Sequence, residues 1–181
     1  MTIPESDPLT SGEFGGSAPE RVNPAHAAFL YKEARYADEA RYADWESLWD
    51  DKALYWVPMN EGADPEKTVS YIYDNRPRIG KRVGQLKTGH RHSQTPPSKM
   101  RRMLTNLELL DSTEAREGSA DKTVTIGANF VLYEFRYGMT IWAGRYIYKL
   151  VIAADGSIKL RAKTVHLITG DAPISNLAFL I

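Results

Sequence analysis

Histidine is the side chain best suited to move protons or hold a metal near neutral pH, and this chain has four. His90 and His92 stand two apart in a basic loop that reaches Pro96-Pro97. Such a pair could begin a metal site, but a stable one needs three or four convergent ligands, and no carboxylate lies nearby in sequence. A solvated or interface loop is the plainer reading. His26 falls at a helix start, where it is exposed. His166 belongs to the last apolar strand. There Ile158, Leu160, Ala162 and Thr164 alternate with Lys159, Arg161 and Lys163, which puts His166 in phase with the apolar face. Val165 and Leu167 then break the alternation, the mark of a bulge or of burial on both faces. His166 is therefore either a core or interface residue, or an acid/base group in a pocket.

The spaced carboxylates Glu33, Asp38, Glu39 and Asp44 read as a solvated helix face, paired with Arg35 and Arg41. A separate block is purely basic. No Asp or Glu occurs between Asn75 and Leu107, whereas Arg76, Arg78, Lys81, Arg82, Lys87, Arg91, Lys99, Arg101 and Arg102 all fall there. The block suits a phosphate-binding surface or a face that meets carboxylates of another subunit. Because arginine makes bidentate carboxylate contacts, Arg76, Arg78, Arg101 and Arg102 are the expected members of a subunit boundary. The apolar C-terminal tail, with Asn176, Leu177 and Phe179, is expected at the same kind of boundary. No G-x-S-x-G, P-loop, G-x-G-x-x-G or H-E-x-x-H motif is present.

Composition narrows the choices further. The chain has no cysteine, which excludes disulfides, thiolate zinc sites, cysteine nucleophiles and cysteine-held iron–sulfur clusters. Its 23 Lys+Arg balance 23 Asp+Glu, so no net field draws it to nucleic acid or an anionic membrane. No apolar run approaches the roughly 18 residues of a membrane span, and Met1 to Pro24 lacks the pattern of a signal peptide. The expected location is the cytoplasm.

The elements that must position these groups divide by period. Residues 1–23 read as a flexible N-terminal arm and 24–181 as one domain. Asn23-Pro24 starts a helix to about Ala37, a second runs from about Ala40 to Trp49, and a third from Arg76 to Lys87 carries Ile79, Val83 and Leu86. Ala53 to Pro58 is a short strand, and residues 60–67 form a polar loop. Long strands follow over Lys99–Leu110, Lys122–Arg136, Thr140–Ala153 and Ser157–Thr169, with an Asp155-Gly156 hairpin turn between the last two. Helices first and antiparallel strands afterwards make an α+β fold.

Phe29, Leu30, Tyr31, Glu33, Ala34, Asp38, Trp45, Leu48, Asp51, Tyr55, Trp56 and Pro58 form a pattern that resembles the opening of aromatic-ring-hydroxylating dioxygenase beta (small) subunits. The resemblance continues through Lys87–Gly89, Pro96–Ser98, Thr105-Asn106, Ala128–Arg136, Trp142–Leu150 and Asn176–Ile181, in order and with family spacing. The chain departs from the common pattern at Thr95 and Ile168, where the family often has Asp, and at Arg102, where it often has His.

The resemblance implies a cone-shaped, cystatin-like fold of the nuclear-transport-factor-2 kind, with a curved, mostly antiparallel sheet. It implies no catalytic, cofactor-binding or metal-ligating residue in this chain. A catalytic alpha subunit would hold the Rieske 2Fe–2S cluster and a mononuclear iron, fed from NAD(P)H through a reductase. The implied assembly is a beta trimer carrying three alpha subunits, with no nucleic acid or membrane involved. The competing reading is a stand-alone cone-fold isomerase or dehydratase with Tyr31, Asp38 and His166 as its acid/base groups. Against it, cone-fold enzymes often place a catalytic His where this chain has Arg102, and arginine does not shuttle protons near neutral pH.

Overall fold

Each of the two longer helices begins at an asparagine whose side chain takes up a free backbone N–H. The computed structural model of the chain describes residues 21–60, 62–65, 67–88, 96–113, 122–170, 172, 174 and 177–181. Helix α1 (Pro24–Asp38) is capped by Asn23, which accepts from the Ala25 N–H at 2.8 Å, and Pro24 fills its first turn. Its buried face comprises Phe29, Leu30, Glu33, Ala34 and Ala37. Ala40, at φ 54°, turns the chain into the short helix α2 (Tyr42–Ser47), which buries Trp45. α2 is shorter than its sequence pattern suggested because Trp49 leaves the helix to begin a strand. Helix α3 (Arg76–Lys87) has the expected limits. Asn75 caps it, accepting from the Arg78 N–H at 3.2 Å, and Ile79, Val83 and Leu86 are its buried residues.

Six strands form one sheet in the order β2-β1-β6-β5-β4-β3. They are β1 (Trp49–Pro58), β2 (Ser70–Asn75), β3 (Lys99–Thr113), β4 (Lys122–Phe135), β5 (Met139–Ile152) and β6 (Ile158–Leu167). All neighbours are antiparallel except β1 and β6, which are parallel. This is the α+β architecture expected, a curved sheet holding helices on its concave side. β2 was not anticipated. It is an edge strand that runs directly into the α3 cap, so its polar end masked it as loop. Asp155-Gly156 makes the β5–β6 turn, with Gly156 at φ 83° and the Ala153 N–H donating to the Ser157 carbonyl at 2.9 Å. Residues 1–20, most of the expected arm, lie outside the described residues, whereas Val22 already packs partly against the core.

One irregularity rewrites the pattern of β6. Lys149 pairs with Ala162 but Leu150 pairs with Leu160, leaving Arg161 as the extra residue of a bulge. Before it Leu160 points inward; after it Lys163 and Val165 do, all three fully buried. The strict alternation that placed His166 inward and Lys163 outward is therefore inverted beyond Arg161.

Close strand contact leaves no room at Gly144. A Cβ there would fall 2.0 Å from the His166 carbonyl oxygen, a backbone atom that cannot rotate away. Gly84, inside α3, would meet nothing within 4 Å. Gly144→Ala should destabilise the chain by roughly 2 kcal/mol or more, at the upper range of overpacking costs. Gly84→Ala should stabilise it by about 0.5–1 kcal/mol through helix propensity. Urea unfolding of both variants checks the contrast.

Candidate functional site

Where the helices meet the concave face of the sheet, the interior is crossed by two ion pairs. Glu33, on the buried face of α1, lies 3.0 Å from Lys163 of β6, and both side chains are wholly buried. The same Glu33 oxygen accepts from the Trp45 indole N–H at 2.7 Å. One carboxylate thus ties α1 to α2 and to the sheet. The Lys163 ammonium also faces the Tyr146 ring, 4.3 Å from its centroid. The second pair joins Asp38, at the end of α1, to Arg102 of β3. One Asp38 oxygen accepts from the Arg102 Nε at 2.8 Å and the other from its backbone N–H at 2.8 Å. The Arg102 guanidinium is fully buried.

Aromatic rings line this interior. Trp45, Trp49 and Tyr55 contact one another at centroid distances of 5.1 to 5.9 Å. Phe130 and Tyr146 stack at 3.8 Å, and Tyr146 meets Tyr148 edge-on at 5.5 Å. The segment Leu177–Ile181 then fills the space, every one of its side chains buried. Arg102 donates to the Leu180 carbonyl at 2.6 Å, and the Tyr55 hydroxyl donates to the Ile181 backbone oxygen at 2.8 Å.

Burial sets the ionisation of these groups. It pushes the Tyr55, Tyr146 and Tyr148 hydroxyls above the usual tyrosine range. It lowers the Lys163 ammonium to about 8, an effect that Glu33 opposes. Burial also disfavours the Arg102 charge, but Tyr146, Asp38 and Glu33 more than offset this and hold its pKa above the ordinary arginine value.

The structure disperses the residues that the sequence grouped. Tyr31 is half-exposed on α1, Asp38 is bound to Arg102, and His166 lies on the opposite face of the sheet, edge-on to Trp56 at 6.5 Å. Tyr31 and Asp38 border one groove with Arg35 and Arg101, and His166 is not part of it. His166 instead borders a shallow depression with Met59, Asn129, Ala143 and Arg145. His26 is partly buried at the start of α1, where burial and nearby Lys122 lower its pKa. His90, His92 and Asn176 lie outside the described residues. Among the described residues, no three His, Asp or Glu side chains are grouped as metal ligands would be.

Three of the residues expected at a boundary have side chains buried within the chain. Arg102 finds its carboxylate within the chain, and Leu177 and Phe179 pack into the chain's own core. Arg76 pairs with Glu46 at 3.0 Å, and Arg78 donates to the Tyr73 carbonyl at 3.0 Å. Arg101 is exposed. The expected solvated carboxylate face holds for Asp44, which pairs with Arg41, and for exposed Glu39, but not for Glu33 and Asp38. The signal for Glu33 was its helical phase, four residues after Phe29 and four before Ala37. Lys163 was hidden by the Arg161 bulge, whose only trace was the broken alternation at Val165 and Leu167.

Removing one member of the buried pair leaves the other charge stranded, at a cost of about 3–5 kcal/mol, whereas replacing both is often close to neutral. Lys163→Met should therefore be far more destabilising than the double variant Glu33→Gln/Lys163→Met, in which Gln can still accept from Trp45. The pH dependence has a defined sign. Between pH 8 and about 10.5 the folded chain releases the Lys163 proton before the unfolded chain does, so stability rises through that window. Above about pH 10 the unfolded tyrosines ionise first, and stability falls. Denaturant titrations from pH 7 to 11 should show the rise in wild type and lose it in the double variant, with the fall retained in both.

The chain is similar to several known proteins. The small subunit of 2-halobenzoate 1,2-dioxygenase from Burkholderia cepacia is 27% identical over 144 residues, covering 76% of this chain and 84% of that subunit. The crystal structure of the beta subunit of benzoate 1,2-dioxygenase from Burkholderia mallei superposes with a TM-score of 0.68 at 22% identity, covering 89% of this chain and 99% of that one. The same fold recurs in a protein from Novosphingobium aromaticivorans described as a scytalone dehydratase, with a TM-score of 0.58 at 13% identity, covering 84% and 88% of the two chains. The family model for the ring hydroxylating beta subunit matches residues 32–171. The chain belongs to the family of ring-hydroxylating beta subunits.

Proposed function

We propose that this chain is the non-catalytic supporting subunit of an aromatic-ring-hydroxylating dioxygenase. Its partner would be an alpha subunit carrying a Rieske cluster and a mononuclear iron, in a cytoplasmic assembly of three alpha and three beta subunits. The observation that carries the reading is the filled interior: the space beneath the helices is taken by paired charges and by Leu177–Ile181. The donor set agrees, since a Rieske centre takes two cysteines and the chain has none. The iron chemistry, and the electrons from NAD(P)H, would therefore belong to the partner and its reductase.

A surface suited to such a partner lies on the outer face of the sheet. Across β3, β4 and β5 the register aligns Lys99 with Phe135 and Met139, and Arg101 with Tyr133 and Ile141. Phe135, Met139 and Ile141 are 48%, 62% and 60% exposed, and Met103 extends the patch. Large apolar side chains grouped in this way mark interaction surfaces, and Arg101 at the edge can meet a partner carboxylate.

Co-expression with the cognate alpha subunit tests the proposal. Tyr133→Glu/Ile141→Glu should leave the lone chain folded but abolish both assembly and ring oxygenation. Tyr31→Phe and His166→Ala should leave turnover within about twofold of wild type, because neither group would act on substrate. A loss near a hundredfold in either, with assembly intact, would instead favour an acid/base role for this chain.

A further inference from the structure

β3 opens with cations to which the fold gives no carboxylate. Lys99 and Arg101 are both exposed, and the register sets Phe135 and Tyr133 beside them rather than an acid. The Arg101 side chain donates to the neighbouring Met100 carbonyl at 3.2 Å. Arg35, exposed on α1, lines one groove with Arg101 where the helix passes β3. Among the described residues, none of these three cations forms an ion pair. Arg101 also lines a second groove of about 620 Å³, which lies between Ala40 of the α1–α2 turn and Lys99, Tyr133, Phe135 and Met139. That volume falls within the range of small-molecule sites.

Charge accounting decides what kind of guest fits. The carboxylates at or behind these grooves are Asp38, Glu39 and Glu134. Asp38 is bound to Arg102. One Glu134 oxygen accepts from the Ser98 hydroxyl at 2.6 Å and the other from the Trp142 indole N–H at 2.9 Å. Glu39 is exposed, and Arg41 beside it pairs with Asp44. Arg35, Lys99 and Arg101 therefore outnumber the one carboxylate left free, Glu39. An anion evens the count, and arginine meets a carboxylate through two parallel N–H groups.

We propose that the joined grooves are a binding site for an apolar carboxylate. Its head takes the free N–H groups of Arg101, with Lys99 on one side and Arg35 on the other. Its apolar body lies along Tyr133, Phe135 and Met139, covering side chains that are otherwise open to water. The same aromatic wall belongs to the face that meets the alpha subunit, so guest and alpha subunit exclude one another. That consequence, unlike the binding itself, rests on the supporting role.

Calorimetric titration of the full-length chain alone tests the site. The probes are octanoate, octanamide as its neutral counterpart, and acetate as a head without a body. Octanoate should bind about tenfold more tightly than either, or better still. Lys99→Gln/Arg101→Gln should remove the advantage of octanoate over octanamide, whereas Phe135→Ser/Met139→Ser should weaken both about fivefold. Equal binding of octanoate and octanamide to wild type, or octanoate binding untouched by the loss of Lys99 and Arg101, would overturn the proposal. Should a variant fail to fold, amide NMR shifts on the wild-type chain decide. Octanoate should move the signals of Arg35, Lys99, Arg101, Tyr133 and Phe135 together, and shifts confined to other residues would be fatal to the idea. Capture by the alpha subunit is read separately and should fall when octanoate is saturating. Full capture with octanoate bound refutes the shared wall and leaves the carboxylate site standing.

Discussion

The fold depends on a carboxylate in a place where water cannot reach it. Glu33 sits on the buried face of α1 with both Lys163 and Trp45 on one of its oxygens. Stranding that charge would be costly, so α1, α2 and β6 must reach their positions together. The pair adds little net stability over an apolar equivalent, since its Coulomb gain is largely offset by desolvation. Its effect is to make the arrangement specific, because a shifted register of β6 would separate the lysine from Glu33.

Much of the architecture was written in local patterns. Asn23, Asn75 and Asp155-Gly156 mark the two helix starts and the final hairpin by rules that need only neighbouring residues. The α3 stripe of Ile79, Val83 and Leu86 predicts its own buried face. What escaped depends on distant partners. The register of β6 shifts at Arg161, which reaches Asp50 on a strand more than a hundred residues earlier. From sequence alone Lys163 is one cation among many. Asp38 and Arg102 are separated by 64 residues, and nothing local announces that each is the other's partner.

The same scaffold serves more than one end, as its recurrence in a protein described as a scytalone dehydratase shows. In this chain the interior is furnished by paired charges and by Leu177–Ile181. Arg102 holds Asp38, the Tyr55 hydroxyl bonds the backbone of Ile181, and Phe179 meets Trp142 edge-on. The apolar side chains left over appear on the outside, around Tyr133 and Ile141, where another subunit can cover them.

The parallel pairing of β1 with β6 bears on how the chain is made. β3, β4, β5 and β6 form a meander of hairpins that can zip together as each strand appears, and β1 with β2 and α3 is likewise a local unit. Within the sheet these two units join along β1 and β6, strands from near the beginning and near the end of the chain. During synthesis the inner edge of β1 therefore waits for the last strand to emerge. Until then an aromatic-rich edge at Tyr55 and Trp56 is open to the wrong neighbour. Translation rate and chaperone supply, rather than the stability of the finished domain, would then govern how much of this protein a cell recovers in usable form.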